Sequence, residues 1–282
     1  MIQYDAHNWR EHLWDVKGSM VADIAARVMA CVAWSAAVTW VHLKVTPVAF
    51  PATLHSLVGL ALGLLLVFRT NASYDRFWEG RKLWGGIVNE TRNLARASRA
   101  LISDDALVRE IVGWTVAFPY ACMHSLRGVK SLGAAADALP PDEVAEVVKA
   151  AHVPTAVALR ISQTLQRARL QGLISDYVQM TVDANVQQLI DYIGGCERIH
   201  KTPLPFAYVV HLRRALILYT FTLPFALVDS FGWGTVLGTL VLAYTFFGIE
   251  EIGVEIEDPF GEDDNDLPLE DICRTIETNL KG

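Results

Sequence analysis

Long apolar runs alternate with charged, helix-patterned stretches along the chain. Residues 24–43 (IAARVMACVAWSAAVTWVHL) carry one formal charge, at Arg27, and further apolar runs cover about 54–68, 206–228 and 233–249. Each nears the roughly 20 residues that a helix rising 1.5 Å per residue needs to cross a hydrocarbon core. The run at 54–68 is short, so it must borrow residues beyond Phe68, to about 73, or continue as a helix out of the bilayer. No proline follows to stop it before Leu101. Arg213 and Arg214 fall inside the third run. They would be expensive against lipid and should face protein or water.

Between Trp78 and Pro205 the pattern changes to amphipathic helix. Helical spacing recurs over residues 94–128, after the paired prolines at Pro140 and Pro141, over 153–172, and from Ile174 to His200. Alternating strand patterns are absent. The pattern predicts an all-α membrane protein with four transmembrane helices (about 24–43, 54–73, 206–228 and 233–250) and a helical aqueous part (about 74–205 plus 251–282). No Gly/Ser or Pro-rich linker interrupts it, so residues 1–282 read as one subunit.

Composition agrees. Hydrophobic residues make up 52% of the 282, mean hydropathy is +0.28, and 20% remain charged, which suits a membrane protein with a substantial wet part. A net charge of −7 argues against nucleic-acid partners, since phosphate binding needs a clustered positive excess. The leader shows no signal-peptide pattern. Lys44 is the one basic residue between the first two spans and none lies between the last two, whereas the leader and middle region hold Arg76, Arg81, Lys82, Arg92, Arg96 and Arg99. By the positive-inside rule both termini and the middle are cytoplasmic, at the cell inner (plasma) membrane. Cys31, Cys122, Cys196 and Cys273 form no CxxC pair and read as reduced, buried thiols.

Three constellations stand out. Leu60, Leu64 and Phe68 lie at i, i+4 and i+8 and share one helix face, with Gly59, Ala61 and Gly63 between them for close helix approach. Several copies around an axis would make an apolar neck; a single copy would make an ordinary lipid-facing or core stripe. Directly after it comes RTNASYDRFWEGRKLW, dense in aromatics suited to the interface and in charges of both signs, with Asp75 expected to pair with Lys82 and Glu79 with Arg76. The third is the acidic run from Glu250 to Asp271, readable as hard oxygen ligands for calcium or as a solvated tail. No HExxH, GxSxG or P-loop accompanies the eight histidines, so an enzyme is not expected.

RTNASYDRFWEGRKLWGGIVNETRNLAR, ERIHKTPLPFAYVVHLRRALILYTFTLPFALV and EDPFGEDDNDLPLEDICRTIETNL, in that order, resemble the prokaryotic members of the bestrophin family over essentially the whole chain. The resemblance implies a homopentameric ion channel with four transmembrane helices per subunit, one central pore and a helical cytosolic vestibule. It places a hydrophobic neck at Leu60, Leu64 and Phe68, a second, cytosolic constriction near Ile174, and acids of a calcium clasp at Asp263 and Asp266. Asp258 stands where animal relatives carry Asn before the proline. The family suggests chloride and other monovalent anions, although some prokaryotic relatives look like cation channels. The competing reading is a non-conducting scaffold or sensor of calcium or lipid.

Overall fold

The computed structural model describes His7 and residues 18–281. Among the described residues every regular element is helical: α1 Val21–Lys44, α2 Ala52–Leu101, α3 Asp105–Leu126, a 3-10 turn Gly133–Ala138, α4 Pro141–Lys149, α5 Val153–Leu170, α6 Asp176–Lys201, α7 Phe206–Phe231, α8 Gly234–Glu255 and α9 Leu269–Lys281. Four of them, α1, α2, α7 and α8, are long and apolar enough to cross a membrane. The second span does run on: α2 is a single helix of 50 residues, more than twice what a bilayer requires.

The chain divides into two compact units. One holds residues up to Phe77, Pro203–Asp258 and Asp263–Asn265; the other holds Trp78–Thr202, Pro259–Glu262 and the residues from Asp266 onward. The boundary falls inside α2, between Phe77 and Trp78. A helix that crosses a boundary leaves no linker composition to read.

In the first unit, α1 packs along α8, and α7 along both. Ile24 and Val28 of α1, Leu62 and Leu66 of α2, Leu212, Leu216 and Leu223 of α7 and Phe247 of α8 form its core. Small and polar residues bring the helices together. Ser35 and Thr239 share a buried hydroxyl hydrogen bond of 3.0 Å, satisfying both groups away from water. Gly59 does what its size suggests, since a Cβ there would stand 2.7 Å from the Tyr219 hydroxyl. Gly63 does not, for it faces open space.

The second unit has the pattern of a soluble helical domain. Trp84, Ile87 and Leu94 of α2, Ile111, Trp114 and Phe118 of α3, Ile161 and Leu165 of α5, and Val182 and Leu189 of α6 are all buried. Asp104 caps α3 by accepting from Ala106 N (2.8 Å) and Leu107 N (3.0 Å), which explains why the helix starts there. α2 and α6 interlock through glycine. A Cβ on Gly86 would fall 2.5 Å from the Tyr192 ring, and one on Gly195 would fall 2.8 Å from Leu83.

Candidate pore-lining face and charged clusters

The apolar stripe of α2 lies where the spacing places it. Leu60, Leu64 and Phe68 are 66%, 54% and 65% exposed, while Leu62 and Leu66 between them are buried in the core of the first unit. A helix that turns its leucines both ways separates an inward face, which packs, from an outward face, which one chain leaves uncovered. His55, Leu62, Leu66, Arg69 and Ser73 mark the inward face, at helical spacing.

Arg69 follows Phe68 directly and is a fully buried guanidinium, 1% exposed. Its Nη2 lies 3.4 Å from Glu257 Oε2, and its Nε and Nη1 meet no acceptor among the described residues. Glu257 is the hub of this region. Its Oε1 accepts from Leu204 N (2.9 Å) and its carbonyl accepts from Arg76 Nε (2.9 Å). Gly253 lies against the Arg69 side chain, where a Cβ would stand 3.4 Å from Nε, at ordinary packing distance. A buried cation of this kind depends on its carboxylate, since a buried charge without a partner is costly.

A second charge cluster resolves the arginines expected to avoid lipid. Glu250 is 2% exposed. It accepts from Arg213 Nε at 2.9 Å and lies 3.6 Å from Arg27 Nη1, and Arg27 also pairs with Glu251. Arg213 therefore faces a protein carboxylate although its side chain is half exposed, whereas Arg214 is exposed and has no carboxylate partner among the described residues. The expected partner of Glu79 was Arg76, one turn away. The structure instead gives Glu79 to Arg198, at 2.7 Å, and turns Arg76 to the Glu257 carbonyl. Tertiary packing brings a partner 119 residues distant, and it displaces the local one. No ion pair joins Asp75 to Lys82 among the described residues.

Ile174 lies in the turn before α6, not in the helix expected to begin there, and is 7% exposed. Its side chain is committed to the core of the second unit and offers little surface within one chain. Leu170, Tyr177 and Met180 around it are strongly exposed.

The acidic block is built in pieces. Asp263 is exposed and Asp266 is buried, with its Oδ2 2.6 Å from where a Gly261 Cβ would stand. Asn265 donates to Gly18 O and to Glu255 Oε1, both at 3.0 Å. Arg127 holds the adjoining turn: Nε donates to Phe260 O (3.2 Å), Nη2 to Gly261 O (2.8 Å), and Nη1 pairs with Glu270. That pairing holds the Glu270 carboxyl below its ordinary pKa. Among the described residues no three His, Cys, Asp or Glu side chains gather closely enough to hold a metal ion. Carboxylates alone thus fall short of the six to eight oxygens calcium takes, and backbone oxygens would have to complete the set. Two of the carbonyls nearby, those of Phe260 and Gly261, already accept from Arg127.

The remaining titratable groups in the second unit read as structural. Burial pushes the thiols of Cys196 and Cys273 up to about 12, and raises that of Cys122 as well. His124 is lowered by burial and by the Arg127 guanidinium. None of these cysteines carries the lowered pKa and exposure of a reactive thiol.

Comparison with known proteins agrees with this architecture. The family model described as bacterial/fungal bestrophin protein matches residues 1–282. A voltage-dependent anion channel-forming protein of Nostoc sp. is 39% identical over 278 residues, covering 97% of this chain and 91% of that protein. One of Escherichia coli K12, YneE, is 32% identical over 282 residues, covering 99% and 93%. The crystal structure of a bacterial bestrophin homologue from Klebsiella pneumoniae superposes with a TM-score of 0.85 at 33% identity, covering 91% of this chain and 97% of that one. The relatives are named as channels, not enzymes, and the protein described here is a membrane protein that belongs to the bacterial and fungal bestrophin family.

Proposed function

We propose that the chain is one subunit of a homopentameric channel for small monovalent anions, its central pore narrowed by Leu60, Leu64 and Phe68. One observation carries this reading. Three large apolar side chains lie outward along one face of α2, in a chain whose relatives are named anion channel-forming proteins. Five such faces around an axis would bury the stripe against itself and leave a dry constriction. An apolar constriction passes ions only when it wets or widens, so it sets the rate without carrying charge. Selectivity for anions then comes from groups beside the neck rather than from its three side chains. Ile174 enters as the region of a second constriction, with the exposed side chains near it as the surface that would line it. Both termini lie on the cytoplasmic side of the plasma membrane, consistent with the basic residues concentrated in the middle region.

Calcium at Asp263 and Asp266 is a separate claim within this reading. It is tested by comparing currents before and after chelation.

The subunit claim is tested by native mass measurement of the detergent-extracted protein. Five times the 31.2 kDa of one chain is expected, and a stable single chain would overturn the reading. The conducting claim is tested by anion flux into vesicles containing the purified protein. Flux should appear with the wild type and change when the three neck positions become alanine.

A further inference from the structure

Beyond Trp84, the outward face of α2 carries Arg92, Arg96 and Arg99 at i, i+4 and i+7. All three are exposed and line a cavity of about 420 Å³ whose opposite wall includes Asn279 and Leu280. Arg99 is anchored by donating from Nη2 to the Leu280 carbonyl. That contact forms a shared wall with a neighbouring cavity of about 260 Å³, which Arg109 and Lys281 line. No aspartate or glutamate lines either cavity. Lys281 pairs with Glu277, but Arg92, Arg96 and Arg109 have no carboxylate partner among the described residues. In a chain of net charge −7, an acid-free concavity lined by three arginines, two of them without a carboxylate or carbonyl partner among the described residues, departs from its surroundings.

We propose that this arginine-lined cavity binds a free solute carrying two or more phosphate groups. Three features of the site select that chemistry. The guanidinium fork matches phosphate oxygens in pairs, forming charge-assisted bonds a halide cannot use fully. From Arg92 to Arg99 the helix rises about 10 Å, longer than a single monovalent ion spans and suited to linked anionic groups. The volume lies within the range of small-molecule sites, roughly 300–1,000 Å³, so the ligand is a compact solute. Asn279 adds a neutral donor and acceptor to the lining. The proposal does not rest on the channel reading.

The test is calorimetric titration of inorganic pyrophosphate into the full-length protein in neutral detergent, free of anionic lipid. Saturable binding at one site per chain is expected, with sulfate at matched ionic strength weaker by roughly tenfold, because a single anion engages fewer guanidinium forks. Arg92→Gln with Arg96→Gln should weaken pyrophosphate by about tenfold or more, whereas Arg81→Gln, an exposed arginine on the same helix but outside the cavity, should leave it unchanged. Absence of saturation, equal loss in the Arg81 variant, or undiminished binding in the double variant would overturn the proposal. A double variant whose native mass falls would also overturn it, showing that the arginines serve contact between copies. So would vesicles containing phosphoinositide that retain the protein against excess pyrophosphate, since the phosphate would then come from lipid.

Discussion

The two halves of α2 use the same helix in opposite ways. Up to Phe68 its outward face is apolar, with Leu54, Leu57, Leu60, Leu64 and Phe68 all exposed, and its inward face hides the charge of Arg69. From Trp84 onward the large apolar groups Trp84, Ile87 and Leu94 are hidden and the charges of Arg92, Arg96 and Arg99 are outside. The second half obeys the rule for water. The first inverts it, which is what lipid, or an apolar throat shared with other copies, demands. The two units accordingly differ in what they bury beside their apolar cores: an ion pair in one, large aromatic side chains in the other.

The largest effects should come from breaking those two supports. Glu257→Gln leaves the Arg69 guanidinium buried without its carboxylate and should cost about 3–5 kcal/mol, comparable to other broken buried pairs. Trp114→Ala, at a fully buried position of the second unit, should cost a similar 3–5 kcal/mol or so through the cavity it leaves. Thermal melts in detergent check both. If Glu257→Gln melts like wild type, the charged hub is ornamental and the contrast between the units fails.

Next come the outward leucines. Replacing Leu60, Leu64 and Phe68 by alanine should move the melting of the monomeric fold little, roughly within 0.5 kcal/mol per site, because more than half of each residue's surface is left uncovered by its own chain. The same change should alter flux several-fold, since a wider and less oily neck wets more readily. A large stability loss with unchanged flux would reverse the assignment.

A smaller effect concerns pH. Glu270 has its folded pKa lowered, first by its hydrogen bond from Arg127. A depressed carboxylate contributes stability that is present above its ordinary pKa and lost as pH falls through the folded value. Acid titration of the melting temperature should therefore show a decline below about pH 4 that flattens in Arg127→Ala. The smallest expected signal is chemical. With thiols pushed up to about 12, Cys196 and Cys273 should resist maleimide at pH 8, about the ordinary thiol range, until the protein is denatured.

Much of this architecture was legible from pattern. Apolar windows located all four spans, and the lack of proline after Phe68 foretold that α2 would continue. That Leu60, Leu64 and Phe68 share one face follows from spacing alone, because helix faces are a local property; that this face is the outward one is visible only in the packed structure. What sequence hides is partnership at long range. Arg69 finds Glu257 across 188 positions, and Glu79 finds Arg198 across 119, so no local rule could name them. Ile174 shows the same limit at one residue: its apolar character fits a constriction and a core equally well, and only the surrounding helices commit it to the core. The boundary between the units was invisible because it cuts a continuous helix.

The central claim is that the exposed face of α2 lines an anion pathway. Its most direct test is the reversal potential of the purified protein in a planar bilayer under asymmetric potassium chloride, for wild type and for the Leu60, Leu64 and Phe68 alanine variant. The account predicts a reversal potential near that of chloride for the wild type, with conductance raised and sign retained in the variant. A reversal potential near that of potassium, or conductance indifferent to all three substitutions, would contradict it.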